Sequence, residues 1–173
     1  MKTSPLPGPI STYLFAAVII LATSLPGLAQ TSKRMPGKMA TENNAEAGIR
    51  KLINDYYAAW NTLDPENADR FYDKDAGLVF YDIAPLQYNG WNEYKQSLKA
   101  LFTQYSSFKL IPRDDLKVRR SGDMAFVTLT LHLSAVHKTT GPLELDARHT
   151  AILERRGGRW LIVHEHISAP LPV

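Results

Sequence analysis

The sequence predicts an α+β domain in which helices pack on one face of an antiparallel sheet. Apolar residues recur at helical spacing up to about Tyr105, and from Phe108 onward the period changes to two. The second half is cut by short turn signals, Ser121-Gly122-Asp123, Lys138 to Pro142 and Arg156-Gly157-Gly158, which suit hairpins rather than crossovers. A length of 173 residues with 45% apolar and 21% charged content fits one globular domain with a single core.

Residues 1–29 read as a secretory signal peptide. Leu14 to Ala22 is unbroken apolar sequence, too short for a membrane span of about 20 residues, and Pro26-Gly27 breaks it. Gly27 and Ala29 place small residues at the −3 and −1 positions of a cut after Ala29. The expected product is secreted or periplasmic and keeps no stable membrane anchor after cleavage. Residues 30–44 are polar and read as a disordered tail, leaving the folded domain at about 45–170.

Asn43 and Glu46 resemble a capping box, and Ile49, Leu52, Ile53, Tyr56, Tyr57, Trp60 and Leu63 follow on one helical face. Asp64-Pro65-Glu66 is a cap, a first-turn proline and a dipole-matching acid, opening a short second helix to about Tyr72. Leu78 to Ile83 is rich in strand formers. Gly90 precedes a third helix with Trp91, Tyr94, Leu98, Leu101, Phe102 and Tyr105 on one face. Ala125, Val127, Leu129, Leu131 and Leu133 then alternate with Phe126, Thr128, Thr130 and His132 in a long strand. Two more strands follow, Leu143 to Arg155 and Arg159 to Ile167, joined by a tight hairpin.

Several function classes drop out on composition. No cysteine is present, which excludes disulfides, thiolate zinc sites, a cysteine nucleophile and a lipidated N-terminal cysteine. A net charge of +3 from basic residues scattered singly or in pairs argues against a nucleic-acid surface. Ser168 lacks nucleophile-elbow glycines, and Gly157-Gly158 is followed by no helix and so is no phosphate loop. No cofactor is implied.

The run Thr150-x-Ile152 followed by Arg156-Gly157-Gly158-Arg159-Trp160-Leu161-Ile162-Val163-His164-Glu165-His166-Ile167-Ser168 resembles the SnoaL-like branch of the nuclear-transport-factor-2-like superfamily. It is also similar to the association domain of the calmodulin-dependent kinases. The resemblance covers about residues 45–170 and implies a cone-shaped fold, with three N-terminal helices on a strongly curved antiparallel sheet around a conical pocket. It also implies a homodimer through the other sheet face. It does not fix an activity, because this scaffold serves isomerases, hydrolases, dehydratases, transport adaptors and oligomerisation hubs.

Strand alternation sorts the candidates within that implied pocket. A three-residue loop at 156–158 sets Arg155 opposite Arg159, His149 opposite Glu165, Ala151 opposite Val163 and Ala147 opposite Ile167 on the cavity side. Thr150 then faces His164, and Arg148 faces His166, on the other side. The kinase domains carry pocket arginines where this sequence has Leu131, Ala151 and Ile167, so a pocket for small anions does not carry over. The expected lining is Val127, Leu129, Leu131, Ala151, Leu161, Val163 and Ile167, with Tyr57, Trp60 and Tyr94 from the helices. That is an apolar cavity suited to a small hydrophobic molecule.

His149 and Glu165 form the polar pair of that face. A carboxylate beside an imidazole orients it and stabilises its cation, as a general base requires, and a cross-strand ion pair is the alternative. Asp82 is the second acid-base candidate, or else a loop cap. Asp55 faces water. His164-x-His166 could pair on a metal, but this spacing lies on the dimer face and supplies no third ligand, so no metal is expected. Three classes stay open: a binder of a small hydrophobic molecule, a proton-transfer enzyme of isomerase, dehydratase or epoxide-hydrolase type using His149, Glu165 and Asp82, and an oligomerisation or protein-interaction module.

Overall fold

The computed structural model of the chain describes residues 36–171, with side chains from Asn44 onward. The leader and its cleavage site lie outside the described residues. Helix α1 runs Pro36–Trp60 and therefore begins inside the expected tail. Proline suits a first helical turn, and Lys38-Met39-Ala40 favours helix, so the helix needs no cap at Asn43. Glu46 takes Arg50 one turn on, at 2.8 Å, instead of turning back to close a capping box. The predicted face is the buried one, with Ile49, Ile53, Tyr56, Tyr57 and Trp60 in the core.

The second helix is a 3-10 helix, Pro65–Phe71, capped by the Asp64 carboxylate, which accepts from the Glu66 N–H at 3.0 Å. Strands β1 (Val79–Phe80) and β2 (Tyr88–Asn89) form a small antiparallel ladder. Helix α2 (Gly90–Phe102) buries Trp91, Tyr94, Leu98 and Phe102. Gly90 opens it at φ +74°, where an added Cβ would meet the Ala76 backbone at 3.4 Å. Only glycine takes both the left-handed backbone and that close approach without strain.

The main sheet is wholly antiparallel and built from β3 (Tyr105–Pro112), β4 (Lys117–Ser121), β5 (Met124–His137), β6 (Gly141–Arg156) and β7 (Arg159–Ser168). Its order is β3-β5-β6-β7, and β4 also pairs with β5. Alternation along β5 is clean: Ala125, Val127, Leu129, Leu131, Leu133 and Ala135 are buried in the core with the helices. The opposite face carries Phe126, Thr128, Thr130 and His132, and Phe126 is 47% exposed. This is the α+β, three-helix and antiparallel-sheet arrangement expected from the sequence.

The last hairpin corrects the expected register. Its loop is two residues, not three: Arg156 opposes Arg159, with Gly157 and Gly158 both at positive φ, 57° and 79°. Two successive positive φ values give the turn whose twist matches a right-handed strand pair. This displaces the pairing by one. A bulge then displaces it by one more: Leu153 opposes Ile162 but Ile152 opposes His164, leaving Val163 unpaired. Beyond the bulge Ala151 opposes Glu165, Thr150 opposes His166, His149 opposes Ile167 and Arg148 opposes Ser168. None of the four expected pairings of these residues survives. The two displacements add to an even number, so His149 and Glu165 still share the core side of the sheet. Both are fully buried. Leu161, opposite Glu154, and Val163, at the bulge, are buried outside the main core cluster.

Candidate functional site

Asp82 owes its position to one bridge. Tyr81 sits beside β7, donating its N–H to the Glu165 carbonyl at 2.9 Å and accepting from the Ile167 N–H at 3.0 Å. Its ring lies edge-on against His164 and His166, with centroids at 5.3 and 5.7 Å, on the outer side of the strand. The next residue must point the other way. Asp82 therefore turns inward, where the Tyr94 hydroxyl donates to Oδ2 at 3.0 Å and the Ile83 N–H donates to Oδ1 at 2.7 Å.

This carboxyl lines a cavity of about 40 Å³ whose walls include Tyr56, Trp60, Tyr94, Leu131 and Ile167. The space holds a water molecule or one small group of a ligand. Aromatic packing fills the rest: Trp60 meets Tyr56, Tyr72, Trp91, Tyr94 and Phe102, all at centroid distances near 6 Å. Burial raises the Asp82 carboxyl to about 6, and the nearby Glu165 charge adds to the rise. The hydrogen bonds from Ile83 and Tyr94, and the His149 ring, offset part of it.

Of the expected site residues, Asp82, Trp60, Tyr94, Leu131 and Ile167 line this cavity. Tyr57, Leu129, Ala151, Val163, His149 and Glu165 are buried but do not line it. Val163 misses it because it is the bulged residue. Leu129 and Ala151 lie on the correct face, opposite His149 and Glu165 respectively, along the buried layer beneath.

That layer is polar. Glu165 accepts from the Tyr72 hydroxyl at 2.8 Å and from the Tyr56 hydroxyl at 3.0 Å. The Tyr57 hydroxyl lies 2.7 Å from His149 Nδ1. His149 Nε2 is 3.5 Å from Glu165 Oε2, too far for a good hydrogen bond, and has no hydrogen-bond partner among the described residues. The expected dyad is thus a diagonal neighbour pair rather than a directly opposed one. Burial first, and the Glu165 charge second, hold the phenols of Tyr56, Tyr57 and Tyr72 well above the ordinary tyrosine value. All three therefore stay protonated, and those of Tyr56 and Tyr72 donate to Glu165. Sequence reasoning chose Tyr57 for the pocket and missed Tyr56 and Tyr72. The signal for Tyr56 was its place one turn before Trp60 on the same face. Nothing in the sequence pointed Tyr72 at Glu165.

A sequence model of the SnoaL-like domain matches residues 49–172. The chain belongs to the SnoaL-like domain family. Solved structures agree on the fold. A nuclear-transport-factor-2-like superfamily protein from Salmonella enterica matches at TM-score 0.70 and 18% identity, over 76% of this chain and 94% of that one. A protein of the same superfamily from Streptomyces avermitilis, provisionally assigned as a dehydratase, matches at TM-score 0.67 and 16% identity, over 75% and 99%. A Xanthomonas campestris protein, provisionally assigned as a calcium/calmodulin-dependent kinase II association domain, matches at TM-score 0.61 and 21% identity, over 72% and 87%. No curated protein matches the sequence.

Proposed function

We propose that this SnoaL-like domain binds a small hydrophobic molecule bearing one polar group, with the apolar part entering the cavity and the polar group meeting Asp82 and Tyr94. The observation that carries the reading is the single carboxyl–phenol pair in the wall of an otherwise apolar cavity. A few convergent polar groups in an apolar enclosure are what orients a small ligand. The cavity admits only the leading group of such a ligand. Ile83, 43% exposed beside Asp82, is the side chain that gives way to the remainder.

A second reading rests on a separate observation. A carboxyl at about 6 exchanges protons near neutral pH, as a general acid or base must, so the same site suits proton transfer on the bound molecule. Ligand-observed NMR with a panel of small cyclic alcohols and ketones tests both readings. Binding that Leu131→Trp abolishes supports the binder. Deuterium exchange at carbon beside a ketone, lost in Asp82→Asn, supports the enzyme. If no compound in the panel responds to Leu131→Trp, the cavity reading is wrong.

We also propose that the domain is exported after a cut behind Ala29 and pairs with a second copy through the outer sheet face. No helix among the described residues covers that face, and Met124 and Phe126 are half-exposed beside Ile152 on it. Secreted material should begin at Gln30 by intact mass and sediment at twice the monomer mass. Met1 retained in a membrane fraction, or a monomer at micromolar concentration, refutes the respective half.

A further inference from the structure

Apart from Tyr56, the buried polar layer does not line the cavity, yet it is costly to build. A fully buried carboxyl group, two phenols turned onto it and an imidazole with an unpartnered Nε2 occupy positions that apolar side chains would fill with less penalty. Its geometry relative to Asp82 is fixed by backbone rather than by flexible side chains. The parallel bridge sets Tyr81 opposite His166, between Glu165 and Ile167, so Asp82 comes level with Ile167, and alternation puts Glu165, Ile167 and Asp82 on the inner side. Ile167 and Asp82 meet in the cavity wall. Glu165 is two residues back along the same strand, a rise of about 7 Å.

We propose that Glu165 is a positioning residue for Asp82, and that the two carboxyl groups form one coupled acid pair in which the buried member governs the ionisation of the member in the cavity wall. Two carboxyl groups on the same inner face, one fully buried and the other half-buried, do not ionise independently. Glu165 is held in place by Tyr56 and Tyr72 and is closed to any ligand, so it acts through Asp82 alone. The Tyr94 hydroxyl from α2 and the Ile83 N–H donate to Asp82, and the other groups whose charge it feels or affects are His149 on β6 and the Tyr88 phenol on β2, which donates to the Ala84 carbonyl. Tyr94 and Ile83 donate to the carboxylate and favour ionisation, which leaves Glu165 as the opposing charge. Tyr94 is itself held protonated, by burial first and then by Asp82 and Glu165, so it faces both members of the pair. The direction of the Asp82 shift agrees with this arrangement.

The inference rests on Asp82 as the ligand-facing group, but its test needs no ligand. Carbon-13 carboxyl NMR follows Asp82 through a pH titration of the purified protein. The midpoint should lie near 6 in the unaltered chain. In Glu165→Gln it should fall by about one pH unit, because a like charge is removed. In Tyr94→Phe it should rise, because a donor to the carboxylate is removed. A folded Glu165→Gln protein with an unmoved Asp82 midpoint overturns the proposal. Should that variant not fold, the unaltered protein decides. The Glu165 carboxyl carbon must show an inflection at the Asp82 midpoint, and a flat response there overturns the proposal equally. A failed ligand panel beside a shifted midpoint would reject the binding reading and leave the coupled pair standing.

Discussion

Asp69 and Asp82 stand at two edges of the same aromatic core and end in opposite states. Burial acts to raise both. At Asp69 the Trp91 indole donates at 2.7 Å, with Lys74 and Lys95 at 2.9 and 3.1 Å, and together these donors bring the carboxyl down to about 2. At Asp82 there are only a phenol and the adjoining N–H, and burial prevails to bring it to about 6. Lys74 also lies over the Trp91 ring at 4.9 Å, so the Asp69 cluster locks α2 to the segment that follows the 3-10 helix. A carboxylate surrounded by cations is finished structure, whereas one given too few donors and no cation is left able to exchange a proton. The difference lies in burial, which weighs more on Asp82, and in the number and charge of the donors, not in the residue.

The larger expected effect is at Asp69. Asp69→Ala strands the N–H of Trp91, which is 1% exposed, and separates two lysines from their partner. A loss of about 2 kcal/mol in urea unfolding is expected, since leaving a buried donor unmet costs about 1–3 kcal/mol. The depressed carboxyl contributes stability above its unfolded value near 4, and that contribution is lost as pH falls towards 2. The variant should therefore lose stability less steeply than the parent in acid. A cost below about 0.5 kcal/mol, the ordinary surface value, would erase the contrast between the two aspartates.

Asp82→Asn should act with the opposite sign and more weakly. Its folded value lies above the unfolded one, so the folded state binds the extra proton between about pH 4 and 6. The stability this supplies is present below pH 4 and gone above pH 6, where the half-buried carboxylate is a burden. Removing that charge should stabilise the protein by about 1–2 kcal/mol at pH 7.5 and change little at pH 4. Melting curves at the two pH values read the difference. A variant that is less stable than the parent at pH 7.5 would place Asp82 with Asp69 as a scaffold residue.

The sequence carried the fold because its two periods are long and seldom interrupted. The buried set of α1 and the alternation of β5 follow directly from spacing, and the Asp64-Pro65-Glu66 signature found the 3-10 helix at its first turn. The start of α1 was not legible, because the Asn43–Glu46 signature resembled a cap within a stretch that is helical throughout. Asp82, Trp60 and Tyr94 were reachable as residues of the cavity wall because each follows or sits on a strongly patterned element. The pairing of His149 with Glu165 was not reachable. A run of Gly-Gly permits a two- or a three-residue loop, and a bulge has no fixed residue signature when Leu161, Ile162 and Val163 are all equally apolar. Tyr72 lay beyond reading for a different reason: its contact with Glu165 spans the chain and depends on where the 3-10 helix leaves off.

Val163 is the extra residue of β7, the one that its ladder with β6 passes over. The residues before it take their facing from the Gly157-Gly158 turn, and the residues after it take theirs from the bulge and from the Tyr81 bridge. Removing that one residue would close the bulge and set His164 directly after Ile162, in the pairings with Ile152 and Leu153 that the two already hold. Glu165 would still face the core opposite Ala151, and His166 would stay outside opposite Thr150. A two-residue extension at the hairpin tip preserves the phase and leaves every inward side chain where it was. The tip of β6 and β7 is thus a place where this domain can accept a tag or a grafted loop, and the bulge is a place where one residue can be lost with the layer beneath Asp82 still in phase.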